Sequence, residues 1–271
     1  MDPVLLAVLF VSGIGLVLGL GLAIVSKIMA VPVDEREELI TETLPGANCG
    51  ACGFSGCSGY AAALASGAAT QTNLCAPGGS KVSKEIAGIM GLEAGEVIPT
   101  CAVVLCQGNV NNAQSKMVYS GVKSCAMAQQ LFGGAKTCVY GCLGLGDCMD
   151  ACEFDAIHIC DGVARINPLV CRSCKACVKA CPKGLIELMP LHVSKAAVLC
   201  KNHDKGVVAR KECKKACIGC MKCEKVCEYG AVKVDRFAAY VDTSKCVGCG
   251  KCRESCPVGC IEVITPGHAV V

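Results

Sequence analysis

Four thiols fall within eleven residues in CRSCKACVKACP, from Cys171 to Pro182, and the pattern returns in CVGCGKCRESCP, from Cys246 to Pro257. Cys-x2-Cys-x2-Cys packs thiols too tightly for three independent disulfides, so a secreted disulfide scaffold is a poor fit. The chain holds 27 cysteines in 271 residues but only four histidines: His158, His192, His203 and His268. None of the four stands at zinc-finger spacing from a cysteine pair. With no Trp and 4% aromatic residues, a large aromatic core is not expected. A sulfur-rich chain of this kind gains folding energy from bound metal. A net charge of +3 is too small to point to nucleic acid.

The chain repeats itself at an offset of 75 residues. Cys138, Cys142, Cys148 and Cys152 fall on Cys213, Cys217, Cys223 and Cys227, and Cys171, Cys174, Cys177 and Cys181 fall on Cys246, Cys249, Cys252 and Cys256. The following stretches match too, EFDAIHI with EYGAVKV and PKGLIELM with PVGCIEVI. Each unit reads as one module in which a cysteine motif leads into a short apolar strand, twice over. Cys-x2-Cys-x2-Cys-x3-Cys-Pro is the two-cluster bacterial ferredoxin pattern, whose fourth cysteine ligates the other cluster. Three thiols in one loop reach three corners of a cubane, and the fourth corner faces the other half. The expected sets in module one are Cys138, Cys142, Cys148 with Cys181, and Cys171, Cys174, Cys177 with Cys152. In module two they are Cys217, Cys220, Cys223 with Cys256, and Cys246, Cys249, Cys252 with Cys227. The x3 and x5 spacings of CVYGCLGLGDCMDAC depart from the standard loop. In module two the offset favours Cys213 where the spacing favours Cys220, and the standard run selects Cys220.

A further group, Cys49, Cys52, Cys57 and Cys75, has no histidine and suits a cluster or a four-thiolate zinc site. Glycines between its thiols let the chain wrap closely, and SGYAAALASGAA suits a helix that returns it to the metal. Ser83–Ala94 reads as an amphipathic helix and Val33–Thr43 as an acidic juxtamembrane one. The twenty assigned thiols amount to five [4Fe–4S] clusters. Seven cysteines remain: Cys101, Cys106, Cys125, Cys160, Cys200, Cys213 and Cys260. They are expected to be buried free thiols; Cys125 and Cys200 match at the 75-residue offset, and Cys260 aligns with Leu185 as a core residue.

Val4–Ser26 is apolar, with no charge before Lys27. As a helix it would span about 34 Å, enough for a bilayer core of about 30 Å. It lacks the basic start of a signal peptide. Gly15 and Gly19 form a GxxxG face that lets another helix approach. Thiols at cluster spacing belong in a reducing compartment, which places the soluble bulk on the cytoplasmic side. The expected architecture is α+β: a transmembrane anchor (1–30), a membrane-proximal [4Fe–4S] domain (31–95), a connector (96–135) and two tandem ferredoxin modules (136–191 and 192–271). The two glycine-rich runs, GIGLVLG and GCLGLGD, lie in the apolar helix and in a cysteine loop, so neither is a nucleotide site. Nothing else suggests catalysis, and the chain reads as a one-electron wire.

The single N-terminal helix, the NCGACGFSGCSGYA group ending at Cys75, and tandem modules carrying GCLGLGDC together resemble the B subunit of the Rnf complex, essentially end to end. The resemblance implies a subunit of a translocase, the ion-translocating ferredoxin:NAD oxidoreductase of bacterial inner membranes. It implies a single-pass protein that takes electrons from reduced soluble ferredoxin and passes them to membrane subunits, with flavin and NAD held by those partners. Arg210, Lys211, Lys214, Lys215, Lys222 and Lys225 surround the second module's first motif and form a candidate docking patch for acidic ferredoxin near Lys214, Lys215 and Lys222. The rival readings are an iron–sulfur relay of another membrane redox enzyme and a zinc-stabilised membrane scaffold.

Overall fold

The computed structural model of the chain describes residues 3–28 and 34–265. His268 lies outside the described residues. Helix α1 (Pro3–Ile28) is continuous over 26 residues. Its side chains are described from Phe10 to Ser26 and all are exposed. No helix of the described residues is long and apolar enough to cross a membrane, although the backbone of α1 continues helical on both sides of that stretch.

Three helices build the first cysteine domain. In α2 (Glu35–Thr43), Asp34 caps the N-terminus by accepting the Arg36 N–H at 2.9 Å. Helix α3 (Cys57–Ala65) follows the first three thiols, and α4 (Gly79–Met90) follows Cys75. Helix α4 starts and stops earlier than Ser83–Ala94, because Gly91 adopts a left-handed conformation (φ 65°) and closes it. Ile40, Tyr60, Leu64 and Ile86 meet in a buried core. The Tyr60 hydroxyl donates to the Gln71 carbonyl at 2.6 Å, and burial pushes its pKa up to about 12.

The remainder forms two modules of the same topology. In the first, β1 (Thr100–Val104) leads through α5 (Cys125–Gln130) and α6 (Asp147–Asp150) to the hairpin β2 (Ile157–Cys160) and β3 (Val163–Ile166). Helix α7 (Ala176–Ala180) and β4 (Ile186–Pro190) complete it. The second runs β5 (Lys195–Val198), α8 (Gly206–Glu212), α9 (Lys222–Lys225), β6 (Val232–Asp235), β7 (Ala238–Val241), α10 (Lys251–Glu254) and β8 (Ile261–Ile264). Each module has two antiparallel ribbons, β1–β4 with β2–β3, and β5–β8 with β6–β7. The stretch 96–135 is therefore more than a connector. Its β1 pairs with β4 from Thr100↔Pro190 to Val104↔Ile186, so module one begins at its own outer strand. A strand of five residues whose last four are buried needs a partner, and β4 is the available edge.

The outer ribbons of the two modules meet back to back. Val103, Leu105 and Met189 of one pack with Ala197, Leu199 and Ile264 of the other, all buried. The register exposes a second repeat: Val104 pairs with Ile186 as Val198 pairs with Ile261, so β1 superposes on β5 at an offset of 94, not 75. CAVVLC (101–106) thus corresponds to KAAVLC (195–200).

The two inner hairpins turn differently. Asp161–Gly162, with both φ positive, suits the tight primed turn that this geometry favours. Arg236–Phe237 takes the same positive-φ path without glycine. Replacing that pair with Asp-Gly is expected to stabilise module two by about 1–2 kcal/mol, read as a higher thermal midpoint of the anaerobic chain. An unchanged midpoint would show that the turn is unstrained.

Candidate iron–sulfur cradles

The motif loops bring thiols together by reversing direction after the second cysteine. Lys175, Met221 and Gly250 sit at that position with φ of 62°, 59° and 82°, each capping the one-turn helix that carries the third cysteine. Left-handed backbone folds the loop back on itself, so three thiols point to one centre.

In the first domain, burial raises the Cys75 thiol, with Cys57, Cys49 and Cys52 adding to the rise, so these four face one another. Asn48 accepts the Cys57 N–H at 2.8 Å and fixes the start of α3 beneath them. In module one, Cys152, Cys171, Cys174 and Cys177 line one cavity. In module two, burial pushes Cys223 up to about 12, and Cys217, Cys220 and Cys256 act on it. Burial likewise raises Cys252, followed by Cys246, with Cys227 also acting. The partner thiol of every crossed pair therefore comes from the other loop of its module.

The remaining loop of module one differs from expectation. Cys142, Cys148 and Cys181 line a cavity whose fourth thiol is Cys125, not Cys138. The reason is visible in the sequence: Leu145 stands where module two has Cys220, so the loop lacks its second thiol. Helix α5 brings Cys125 to the same cavity. Asp147 accepts the N–H of Cys125 at 2.7 Å and of Ala126 at 2.9 Å, together with the Ser124 hydroxyl at 3.0 Å. One carboxylate on α6 thereby holds the start of α5, and with it Cys125, over the cradle. Burial raises Cys148 to about 12, reinforced by Cys142, Cys125 and Cys181.

Cys138 lies elsewhere. Together with Cys106, Cys200 and Cys213 it lines a cavity between the modules, so one expected ligand and three of the seven leftover cysteines surround a single space. The match of Cys125 with Cys200 at offset 75 carries no shared role; Cys200 corresponds to Cys106 at offset 94. Cys101 and Cys260 stand beside Cys171 and Cys256 of the motif loops. A hydrogen bond from Cys101 lowers Cys171 to about 6, and one from Cys260 lowers Cys256 to about 5, with Cys256 and Cys260 sulfurs 3.6 Å apart. Cys160 is exposed at the end of β2.

Among the described residues, no three Cys, His, Asp or Glu converge closely enough for a single ion. Thiols around a zinc ion at 2.3 Å would lie within about 4.6 Å of one another. A cubane presents its irons at separate corners, which suits thiols brought together from two loops. Backbone amides are aimed at the sulfurs, as such clusters require: Ala196 and Gly248 N–H donate to Cys246 Sγ at 3.4 Å each, and Leu185 N–H to Cys181 Sγ at 3.5 Å.

The sequence matches known iron–sulfur families. A family model described as an Fe-S cluster matches residues 44–77, a 4Fe-4S binding domain matches 168–184 and a 4Fe-4S dicluster domain matches 216–260. The B subunit of the Na(+)-translocating ferredoxin:NAD(+) oxidoreductase complex of Acetobacterium woodii is 41% identical over 246 residues, which are 90% of this chain and 73% of that protein. The chain belongs to this B-subunit family. The B subunit of an ion-translocating oxidoreductase complex of Methanosarcina acetivorans is 39% identical over 86% of the chain and 88% of its own length. A further B subunit, from the proton-translocating ferredoxin:NAD(+) oxidoreductase complex of Clostridium ljungdahlii, is 38% identical over 90% of the chain and 86% of its own length.

Proposed function

We propose that the chain is the iron–sulfur electron-transfer subunit of a membrane complex that couples ferredoxin:NAD oxidoreduction to ion translocation. The observation that carries this reading is the succession of thiol cradles in one chain: Cys152, Cys171, Cys174 and Cys177 line one, and Cys125, Cys142, Cys148 and Cys181 the next. Each [4Fe–4S] cluster accepts and releases one electron. The chain's part is to hold the thiols, bury them and aim amides at sulfur, which sets the potential of each step. The proposed ligand sets are Cys49, Cys52, Cys57, Cys75; Cys152, Cys171, Cys174, Cys177; Cys125, Cys142, Cys148, Cys181; Cys217, Cys220, Cys223, Cys256; and Cys227, Cys246, Cys249, Cys252. The dicluster match begins at 216, after Cys213 and before Cys217, which favours Cys220 over Cys213 in the fourth set.

Helix α1 is the membrane anchor in this reading. Its 26 residues rise about 39 Å, more than a bilayer core of about 30 Å. Phe10, Leu16 and Leu22 are 67%, 70% and 72% exposed, a cost in water that lipid removes. Deleting residues 1–33 is expected to move the chain from the membrane fraction to the soluble fraction while its visible absorption still bleaches with reduced ferredoxin. A deletion product that stays with membranes would reject α1 as the anchor.

In this reading ferredoxin delivers its electrons at module two. Arg210, Lys211, Lys214, Lys222 and Lys225 are exposed, as is Cys220 of the motif they surround in sequence. Lys215 is half-buried against the cavity between the modules and contributes less to an encounter. Reversing Lys214 and Lys222 to Glu is expected to slow reduction by acidic ferredoxin about tenfold or more at low ionic strength, with the difference fading as salt is raised. Stopped-flow rates equal to wild type at low salt would reject the patch.

A further inference from the structure

Two ferredoxin modules placed back to back leave their near cradles on either side of an interface, with nothing assigned between them. That interface contains Cys106, Cys138, Cys200 and Cys213 around one space, as four thiols line each of the two cradles of module one. Two thiols come from each module, and they are related by the same pseudo-symmetry: Cys106 corresponds to Cys200 and Cys138 to Cys213. We propose that Cys106, Cys138, Cys200 and Cys213 hold a sixth [4Fe–4S] cluster that joins the two modules into one electron path.

Three observations support the site. The first is burial: Cys106, Cys138 and Cys213 are each 7% exposed. The second is a set of donors aimed at sulfur, the feature that marks the assigned cradles. Cys106 Sγ accepts the N–H of Gly108 at 3.3 Å and of Cys142 at 3.4 Å, and Cys200 Sγ accepts the N–H of Cys217 at 3.2 Å. Asn202, 1% exposed, donates one amide hydrogen toward Cys138 Sγ at 3.5 Å and the other to Glu212 at 2.8 Å. The third is position. Cys142 and Cys217, whose amides reach into the site, are themselves first ligands of the facing clusters in modules one and two. One peptide on each side therefore connects the bridge to its neighbours.

The site rests on the relay reading and makes that relay continuous. Cys213 meets Ala113 in a backbone bridge, Gln114 N–H donates to Glu212 O at 3.0 Å and Lys214 N–H to Asn112 O at 2.8 Å, so the insert after β1 grips module two and fixes the four thiols. Each transfer removes one electron from one cluster and adds it to the next; no bond forms and no proton must move. The electrons come from reduced ferredoxin.

The test is iron, acid-labile sulfide and zinc per polypeptide in the full chain purified without oxygen, for wild type, Cys106→Ala/Cys213→Ala and Cys160→Ala. About 24 iron and 24 sulfide are expected in wild type and in Cys160→Ala, and about 20 of each in the double variant, a loss of one cubane. About 20 iron in both wild type and double variant would overturn the bridge and leave the relay intact. One zinc that disappears in the double variant would also overturn it, in favour of a structural ion. Absence of labile sulfide from every sample would overturn the relay itself. Because the double variant removes core thiols, Asn202→Leu provides an independent arm that keeps all four. It should retain the wild-type iron content and lower the midpoint potential of one reduced-cluster signal. Midpoints that all match wild type would count against a cluster at this site.

Discussion

Cys125→Ala is expected to cost the chain one cluster, about four iron and four sulfide, whereas the sequence spacing alone would assign that loss to Cys138. Cys125 shares its cavity with Cys142, Cys148 and Cys181, and no other thiol lines it. The variant should also slow passage of electrons from module two to the first domain, since the lost cluster stands between the Cys106 site and the Cys171 cradle. Asp147→Ala should act in the same direction without touching a thiol, because it releases two amides and a hydroxyl at the start of α5. Losing a cap of this kind costs about 0.5–2 kcal/mol, so part of the population would keep Cys125 in place. Iron analysis and EPR after dithionite check both. Full iron in Cys125→Ala would remove Cys125 from the ligand set.

Gly248→Ala is expected to be the most damaging single methyl group in module two. Gly248 has φ 71°, and an added Cβ would lie 2.2 Å from the Ser194 carbonyl oxygen, a backbone atom with no side-chain freedom to yield. A left-handed alanine costs about 1–2 kcal/mol before any clash, and displacing the chain beside β5 adds to it. The shift would fall on Cys246, two residues upstream, whose sulfur accepts the N–H of both Gly248 and Ala196. The expected result is a loss of about eight iron, both clusters of the module, because their crossed ligands Cys227 and Cys256 tie the two together. Gly184→Ala is the control: φ is 59° there too, but nothing lies within 4 Å of the new methyl. It should lower the thermal midpoint while keeping the iron. Equal behaviour of the two variants would mean that backbone strain alone, and not the approach to Ser194, matters.

Much of this architecture is legible in the sequence because a cluster motif is local. Cys171 to Cys181 and Cys246 to Cys256 each sit in one loop, and loop geometry follows from spacing. The crossing of the fourth thiol is legible for the same reason, since the ferredoxin repeat fixes which loop supplies it. What spacing does not reveal is a ligand brought from a distance. Cys125 precedes Cys142 by seventeen residues, and only the Asp147 cap and the fold of α5 bring it to the cradle. Its signal in the sequence is the missing thiol at Leu145, which a Cys-to-Cys comparison passes over. The interface set is hidden by a change of offset. Comparison at 75 residues aligns Cys138 with Cys213 but pairs Cys200 with Cys125, because module one carries a longer insert after β1. Only the strand register, Val104 with Val198, restores Cys106 to Cys200. Strand β1 reads as connector for a related reason: TCAVV is short and close to Pro99, and its partner β4 lies more than eighty residues away.

The most direct test of the electron wire is an anaerobic titration of the full-length chain with reduced ferredoxin, followed by visible absorption and EPR. Progressive bleaching is expected, with reduced-cluster signals broadened by coupling between neighbours, about one electron taken up per cubane. A chain that binds ferredoxin yet neither bleaches nor develops a reduced-cluster signal, and that carries zinc in its cradles, would contradict electron transfer as its function.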